Sequence, residues 1–110
     1  MQSSKQTLTT EELRNLTHEL PEWAVEDGVL VRFWTFSNFV EAMAFVNRVA
    51  KIAEDAGHHP DIDIRYNRVK LGLVSHDAGG ITARDAKMAH QLSASPVTPK
   101  ATAKKTKPAK

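Results

Sequence analysis

The chain contains no cysteine. That absence excludes a disulfide framework, a thiolate nucleophile and a zinc site built on sulfur, and it fits a reducing compartment. No apolar run approaches the roughly 20 residues that a membrane-spanning helix needs. The opening stretch, MQSSKQTLTTEEL, has neither the basic start nor the apolar core of a secretory signal. Together these absences make the cytoplasm the expected compartment. No GxGxxG or P-loop motif occurs, so no glycine-rich phosphate cradle is indicated. What is present is ordinary for a globular protein: 110 residues, 41% apolar and 25% charged. That length favours one domain with one core. A core of this size buries modest surface, so association with further copies would add stability.

Acid is missing from one region. Residues 93–110, SASPVTPKATAKKTKPAK, hold five lysines and no Asp or Glu. Without those lysines the 15 basic residues become 10 against 13 acids, so residues 1–92 carry −3 although the whole chain carries +2. The basic character therefore belongs to the tail, and the remainder offers no basic face for nucleic acid. Three prolines and almost no large apolar residues leave the tail unable to offset its ordering entropy, so a disordered extension is expected. It reads either as a solubilising segment or as a weak electrostatic arm for a polyanion.

Residues 1–92 read as one compact unit. Thr9, Thr10 and two early glutamates precede Leu13, Leu16 and Leu20 at helical spacing, and Pro21 ends that helix. Trp23–Glu26 and Val29–Phe36 form two strands about Asp27-Gly28, a type I′ hairpin signal. In the second strand Leu30, Arg32, Trp34 and Phe36 share one face, and Val31, Phe33 and Thr35 the other. Over 37–56, Asn38 and Glu41 resemble a capping box, Phe39, Met43, Val46, Val49 and Ala53 form a stripe widened by Phe45 and Ile52, and Gly57 suits the left-handed position after the helix. Asp61–Tyr66 alternates as a strand with Ile62 and Ile64 inward, a turn falls at Asn67, and Val69, Leu71 and Leu73 alternate in a fourth strand. A last helix spans 82–92, with Thr82 as N-cap and Asp85 three residues on. The order α-β-β-α-β-β-α predicts an α+β fold: a four-stranded antiparallel sheet with helices packed on one face.

Five histidines are spread over this pattern. His18 and His90 lie in the terminal helices and are expected at the surface. His58 and His59 close the loop into strand three, and His76 follows strand four. A hairpin turning near Asn67 brings 58–59 and 76 to the same end of the ladder. Asp85 reaches that end from the last helix. Imidazoles exchange protons near neutral pH, and a carboxylate can hold one in a single tautomer, so this end is a candidate acid–base site. Each residue also has a plainer reading: Asp85 as the acid of a capping box, His76 as a strand-end surface residue, His58-His59 as a solvated loop, and Pro60 as a helix stop. A zinc or iron site would need His58 and His59 on one ion, although neighbours in extended chain diverge, and no HxH or HExxH spacing occurs.

Four motifs stand in order: His58-His59-Pro60, Tyr66-Asn67-x-Val69, Ser75-His76-Asp77 and Gly80-Ile81-Thr82-x-x-Asp85, with Ala53-Glu54 upstream. In these the sequence resembles the pterin-4a-carbinolamine dehydratases from about Leu13 to Leu92. The resemblance implies loss of water from 4a-hydroxytetrahydropterin to give quinonoid dihydropterin, which recycles a pterin after aromatic amino acid hydroxylation. It implies a homodimer or homotetramer, and neither a metal nor an organic cofactor. It assigns catalysis to His58, His59, His76 and Asp85, and pterin contacts to His59, Pro60, Ile62, Ser75, His76 and Asp77. His58 and His76 are its leading acid–base groups, His59 would hold the pterin, and Asp85 would orient a histidine. Some members of this fold instead act as non-catalytic dimerisation or assembly factors. Ile62 departs from the family pattern, which often has tryptophan there and could stack on a pterin where isoleucine offers only apolar contact.

Overall fold

A computed structural model describes residues 6–94. Residues 95–110, which hold all five tail lysines, lie outside the described residues, and with them most of the disorder expected of the tail. The elements follow the predicted order: α1 (Thr10–Glu19), β1 (Ala24–Glu26), β2 (Val29–Thr35), α2 (Phe39–Ala56), β3 (Asp61–Arg65), β4 (Arg68–Leu73) and α3 (Ala83–Ala94). Each boundary has a local cause. At α1 the Thr9 hydroxyl accepts from the Glu12 N–H at 3.1 Å while the Glu12 carboxylate accepts from the Thr9 N–H at 2.8 Å. Asp27 and Gly28 both take positive φ (52° and 79°), as a type I′ turn requires. At α2 the Asn38 side chain accepts from Glu41 N–H at 2.9 Å, but Glu41 reaches back to the amide of Ser37 rather than Asn38. The β3–β4 turn places Tyr66, not Asn67, at positive φ (54°). Asn67 instead spends its side-chain amide on the Phe36 carbonyl at 2.7 Å, tying the turn to the end of β2.

The sheet runs β1-β2-β4-β3, all antiparallel, with the helices on one face. The two hairpins thus join through their second strands, Leu30 opposite Leu73 and Trp34 opposite Val69. Leu30, Trp34, Val69, Leu71 and Leu73 line the covered face and meet Ala42, Phe45, Val46 and Val49 of α2 and Met88, Ala89 and Leu92 of α3. Aromatic residues make up only 6% of the chain, yet Trp23, Trp34, Phe36 and Phe45 stack in one chain of ring contacts 4.8–5.9 Å between centroids. Such contacts add to simple burial, by about 0.5–1.5 kcal/mol per pair. Of the predicted α2 stripe, Phe45, Val46, Val49 and Ala53 are buried, but Ala42 joins them and Phe39 stands half exposed at the helix start. Ile64 packs on the core, whereas Ile62 is 38% exposed because β3 is an edge strand with a neighbour on one side only.

Arg32 shares the covered face with Leu30 and Trp34, as the alternation predicts. Its guanidinium lies 4.3 Å from the Trp34 ring centre and donates to Ser93 Oγ at 3.4 Å. Burial pushes its pKa down and the nearby Glu22 opposes that shift. Ser93 also accepts from the Trp23 indole N–H at 2.9 Å. The last helix therefore continues two residues past the expected boundary at Leu92. Among the described residues no helix is long and apolar enough to cross a membrane.

Candidate active site

The site is assembled at one end of the sheet from three chain ends. The first is the C-terminus of α2. Gly57 takes φ 69°, its N–H bonds the Glu54 carbonyl at 3.2 Å, and the His58 N–H bonds the Ala53 carbonyl at 3.2 Å. This is a Schellman motif, and it makes His58 the first residue beyond the helix with a fixed backbone. A side chain at position 57 would be strained in the left-handed region, so the glycine is what delivers His58 to its place.

The second is the loop after β4. Ser75 and Gly80 pair across it, with Ser75 N–H on the Gly80 carbonyl at 2.9 Å. β3 and β4 pair Asp61 with Gly72, so continuing the register sets Ser75, rather than His76, across from His58. The third is the start of α3. Thr82 precedes Ala83, its hydroxyl accepts from Arg84 N–H at 3.2 Å, and Asp85 Oδ2 accepts from Thr82 N–H at 2.9 Å. The N-terminal segment braces this corner: Leu8 N–H bonds the Ile81 carbonyl at 2.8 Å, and Thr7 bridges to Thr82.

Asp85 is fully buried. Its Oδ2 serves the helix cap and also accepts from Ser75 Oγ at 2.9 Å, while its Oδ1 lies 2.5 Å from His58 Nε2. One carboxylate thus makes both sets of contacts, one oxygen bonding the start of the helix and the other meeting the histidine. A buried carboxylate needs donors on both oxygens, and here it has them. A carboxylate can only accept, so the neutral His58 ring carries its proton on Nε2. That leaves Nδ1 with a lone pair. The His58 side chain keeps 13% of its surface open against none for Asp85, and it borders a groove of about 520 Å³ with Ile52, Gly57, Arg84, Lys87 and Met88. Cavities of this size are typical for small ligands.

The other predicted residues fall differently. His59 precedes Pro60, which favours extended backbone, and turns away to Glu54 Oε1 at 2.9 Å with both side chains more than 60% exposed. Pro60 is half-buried at the entry to β3. His76 is exposed, and none of its ring atoms hydrogen-bonds another described residue. Asp77 is exposed beside it and accepts from Arg84 Nη2 at 2.8 Å. Ser75 is buried with its hydroxyl turned onto Asp85, so it backs the site instead of opening to the groove. Ile62 lines a separate groove of about 320 Å³ with Asp61, Asp63 and Lys70, which has no histidine. The structure therefore joins His58, Asp85 and Ser75 directly, and leaves His59 and His76 as exposed neighbours in sequence.

Three participants had no periodic signal. Thr82 was visible only as a cap. Glu54 meets His59 across a helix end, where the usual three- and four-residue spacings do not apply. Arg84 borders the groove because it follows Thr82, and its Nε is buried without a partner among the described residues.

Comparison with known proteins places this geometry in a family. A protein from Thermomicrobium roseum, provisionally named pterin-4-alpha-carbinolamine dehydratase, is 58% identical over 80 residues, 73% of this chain and 86% of the relative. One from Acidobacterium capsulatum with the same provisional name is 54% identical over 87 residues, 79% of this chain and 95% of the relative. The crystal structure of a transcriptional coactivator/pterin dehydratase from Brucella melitensis superposes with TM-score 0.78 at 31% identity, covering 86% of this chain and all of that one. A pterin dehydratase-like protein identified as a RuBisCO assembly factor in the alpha-carboxysome shares the fold at TM-score 0.51 and 20% identity, over 64% of this chain and 81% of its own. Residues 6–95 match the sequence pattern of the family described as pterin 4 alpha carbinolamine dehydratase, and the chain belongs to that family.

Proposed function

We propose that the protein is a 4a-hydroxytetrahydropterin dehydratase that uses histidine general acid–base catalysis. The observation that carries this reading is the His58–Asp85 pair, a partly open imidazole held by a buried carboxylate at the rim of a ligand-sized groove. In the reaction the C4a–O bond breaks with help from a ring-nitrogen lone pair. The hydroxyl leaves as water after gaining one proton, and one proton is lost from a ring nitrogen. His58 takes the ring-nitrogen proton on Nδ1, and Asp85 faces the positive charge that forms on the imidazole. His76, on the exposed loop, hands a proton from solvent to the departing hydroxyl. His59 and Pro60 contact the pterin. General acid–base help is typically worth about 10²–10⁴-fold, which suits a step needing neither a nucleophile nor a Lewis acid. The quinonoid dihydropterin so formed needs a two-electron reduction, by a separate reductase, before a hydroxylase can oxidise the pterin again.

The protein works as a homo-oligomer in this reading. Phe39 and Val40 at the start of α2 and Phe33 on the uncovered sheet face are 49%, 76% and 50% exposed, which leaves apolar surface for a second copy. The test is a carbinolamine dehydration assay with purified protein. Acceleration that His58→Ala lowers by about 10²-fold or more supports the proposal, and decay at the uncatalysed rate sinks it. The alternative, a non-catalytic interaction factor, draws on the coactivator named beside the dehydratase in the Brucella structure. It predicts a stoichiometric protein partner and no turnover.

A further inference from the structure

The hydrogen bonds behind Asp85 have only one consistent direction. Ser75 Oγ lies 2.9 Å from Asp85 Oδ2 and 2.9 Å from Thr82 Oγ1. A serine hydroxyl has one proton, and the carboxylate can only accept, so that proton goes to Asp85. Thr82 must then donate to Ser75. Thr82 Oγ1 in turn accepts from the Arg84 amide at 3.2 Å. The chain therefore runs from Arg84 N–H to Thr82 O–H to Ser75 O–H to Asp85, and every donor points toward the carboxylate. His58 Nε2 meets the other oxygen from the opposite side. Ser75, Thr82 and Asp85 are all at most 2% exposed, and hydrogen bonds in such surroundings strengthen one another.

We propose that Ser75 is a positioning residue, whose hydroxyl, set in direction by Thr82, holds the Asp85 carboxylate so that His58 stays in its Nε2–H form and presents Nδ1 to the groove. This inference rests on the catalytic reading of His58. The reason a hydroxyl is needed is rotational. Without Ser75 the Thr82 amide is the one donor left on Oδ2, and less opposes a turn about the last bond that carries Oδ1 off His58 Nε2. A second donor on the same oxygen fixes the plane and hence the aim of Oδ1. Outer partners that orient metal-bound histidines matter by about 10–100-fold, and the same order is expected for a partner that aims Asp85.

The test compares Ser75→Ala with Ser75→Thr in the full chain. Two readouts are taken: the ¹⁵N spectrum of the His58 ring at a pH where it is neutral, and kcat and KM for carbinolamine dehydration. In Ser75→Ala the Nδ1–H tautomer should become populated, kcat should fall by about tenfold, and KM should stay within about twofold. Ser75→Thr should recover the Nε2–H form and most of kcat. A folded Ser75→Ala protein with the original tautomer and kcat overturns the proposal. So does a loss of kcat that Ser75→Thr fails to restore while the tautomer is unchanged. If Ser75→Ala does not fold, Thr82→Val carries the same test, since it removes the donor that directs Ser75 and keeps the side-chain shape; an unchanged His58 tautomer there overturns the proposal equally. The ring spectrum needs no turnover. Absence of activity in the unmodified protein therefore counts against the dehydratase reading, and an unmoved tautomer counts against Ser75.

Discussion

Asp85→Asn is the sharpest single perturbation of this site, because it changes one charge and almost no volume. The amide has one accepting oxygen and one donating NH₂. Two donors, Ser75 O–H and Thr82 N–H, converge on the position of Oδ2, against one on Oδ1. The amide oxygen therefore settles toward Ser75 and Thr82. The NH₂ then faces His58, whose Nε2 must become an acceptor and whose proton must move to Nδ1. The imidazole keeps its place, but Nδ1 now carries the proton and has no lone pair to accept one. In the serine-protease triad an Asp→Asn change of this kind costs about 10⁴-fold through the same tautomer error. With general acid–base catalysis as the contribution at stake, kcat should fall by about 10²–10⁴-fold. Folding should suffer far less. Charge-assisted hydrogen bonds are roughly twice as strong as neutral ones, while removing a buried charge offsets part of that loss. A net cost of about 1–2 kcal/mol follows, or about 5–15 °C in Tm for a domain of this size. Circular dichroism establishes that the variant is folded at the assay temperature, and stopped-flow detection of quinonoid dihydropterin gives kcat. A folded Asp85→Asn protein within about threefold of the original kcat would refute the claim that this carboxylate sets the His58 tautomer.

Other outcomes follow from the same geometry. His58→Ala should lower kcat by about 10²-fold or more, whereas His59→Ala should act mainly through KM, since His59 is exposed and bonded to Glu54 rather than Asp85; steady-state kinetics separates the two. Glu54→Gln should change stability by less than about 0.5 kcal/mol, because exposed ion pairs contribute little; urea unfolding measures it. Gly57→Ala, at φ 69° with open space around it, should cost about 1–2 kcal/mol through left-handed strain and lower kcat as well, because the His58 backbone is set by that helix end; a Tm loss without a kcat loss would contradict the second part. Ser93→Ala should leave kcat unchanged and destabilise by about 1–3 kcal/mol, since it strips the acceptor from the buried Trp23 N–H.

Much of this molecule is local in origin. Thr9 and Glu12, Asp27-Gly28, Asn38 and Gly57 stop and start elements through contacts no more than five residues long, so their types alone announce the breaks. Alternation in β2 and β4 names the covered face for the same reason: a strand's period is two wherever it lies in the sheet. The α2 stripe was less faithful. Its contact surface depends on where β2 and β4 meet the helix, and that is why Phe39 comes out half exposed while Ala42 is buried. Composition assigns Ser93 to the tail, but a distant partner, the Trp23 indole, draws it into the fold.

The candidate site divides along the same line. By itself the sequence determined the order and type of the elements, that Asp85 can cap a helix, and which family motifs the chain carries; it predicted His58, His59, His76 and Asp85 near one end of a hairpin. Only the tertiary structure decided which of three histidines meets the carboxylate. Residues 58, 75 and 85 lie on three separate elements, and their distances depend on the register of β3 against β4 and on the angle at which α3 leaves its loop. One-residue differences there exchange His76 for Ser75 behind Asp85, because neighbours on extended chain point to opposite sides. Spacing along the chain carries no such information. A buried carboxylate must find its donors in three dimensions, and here they come from a serine, a threonine amide and one imidazole.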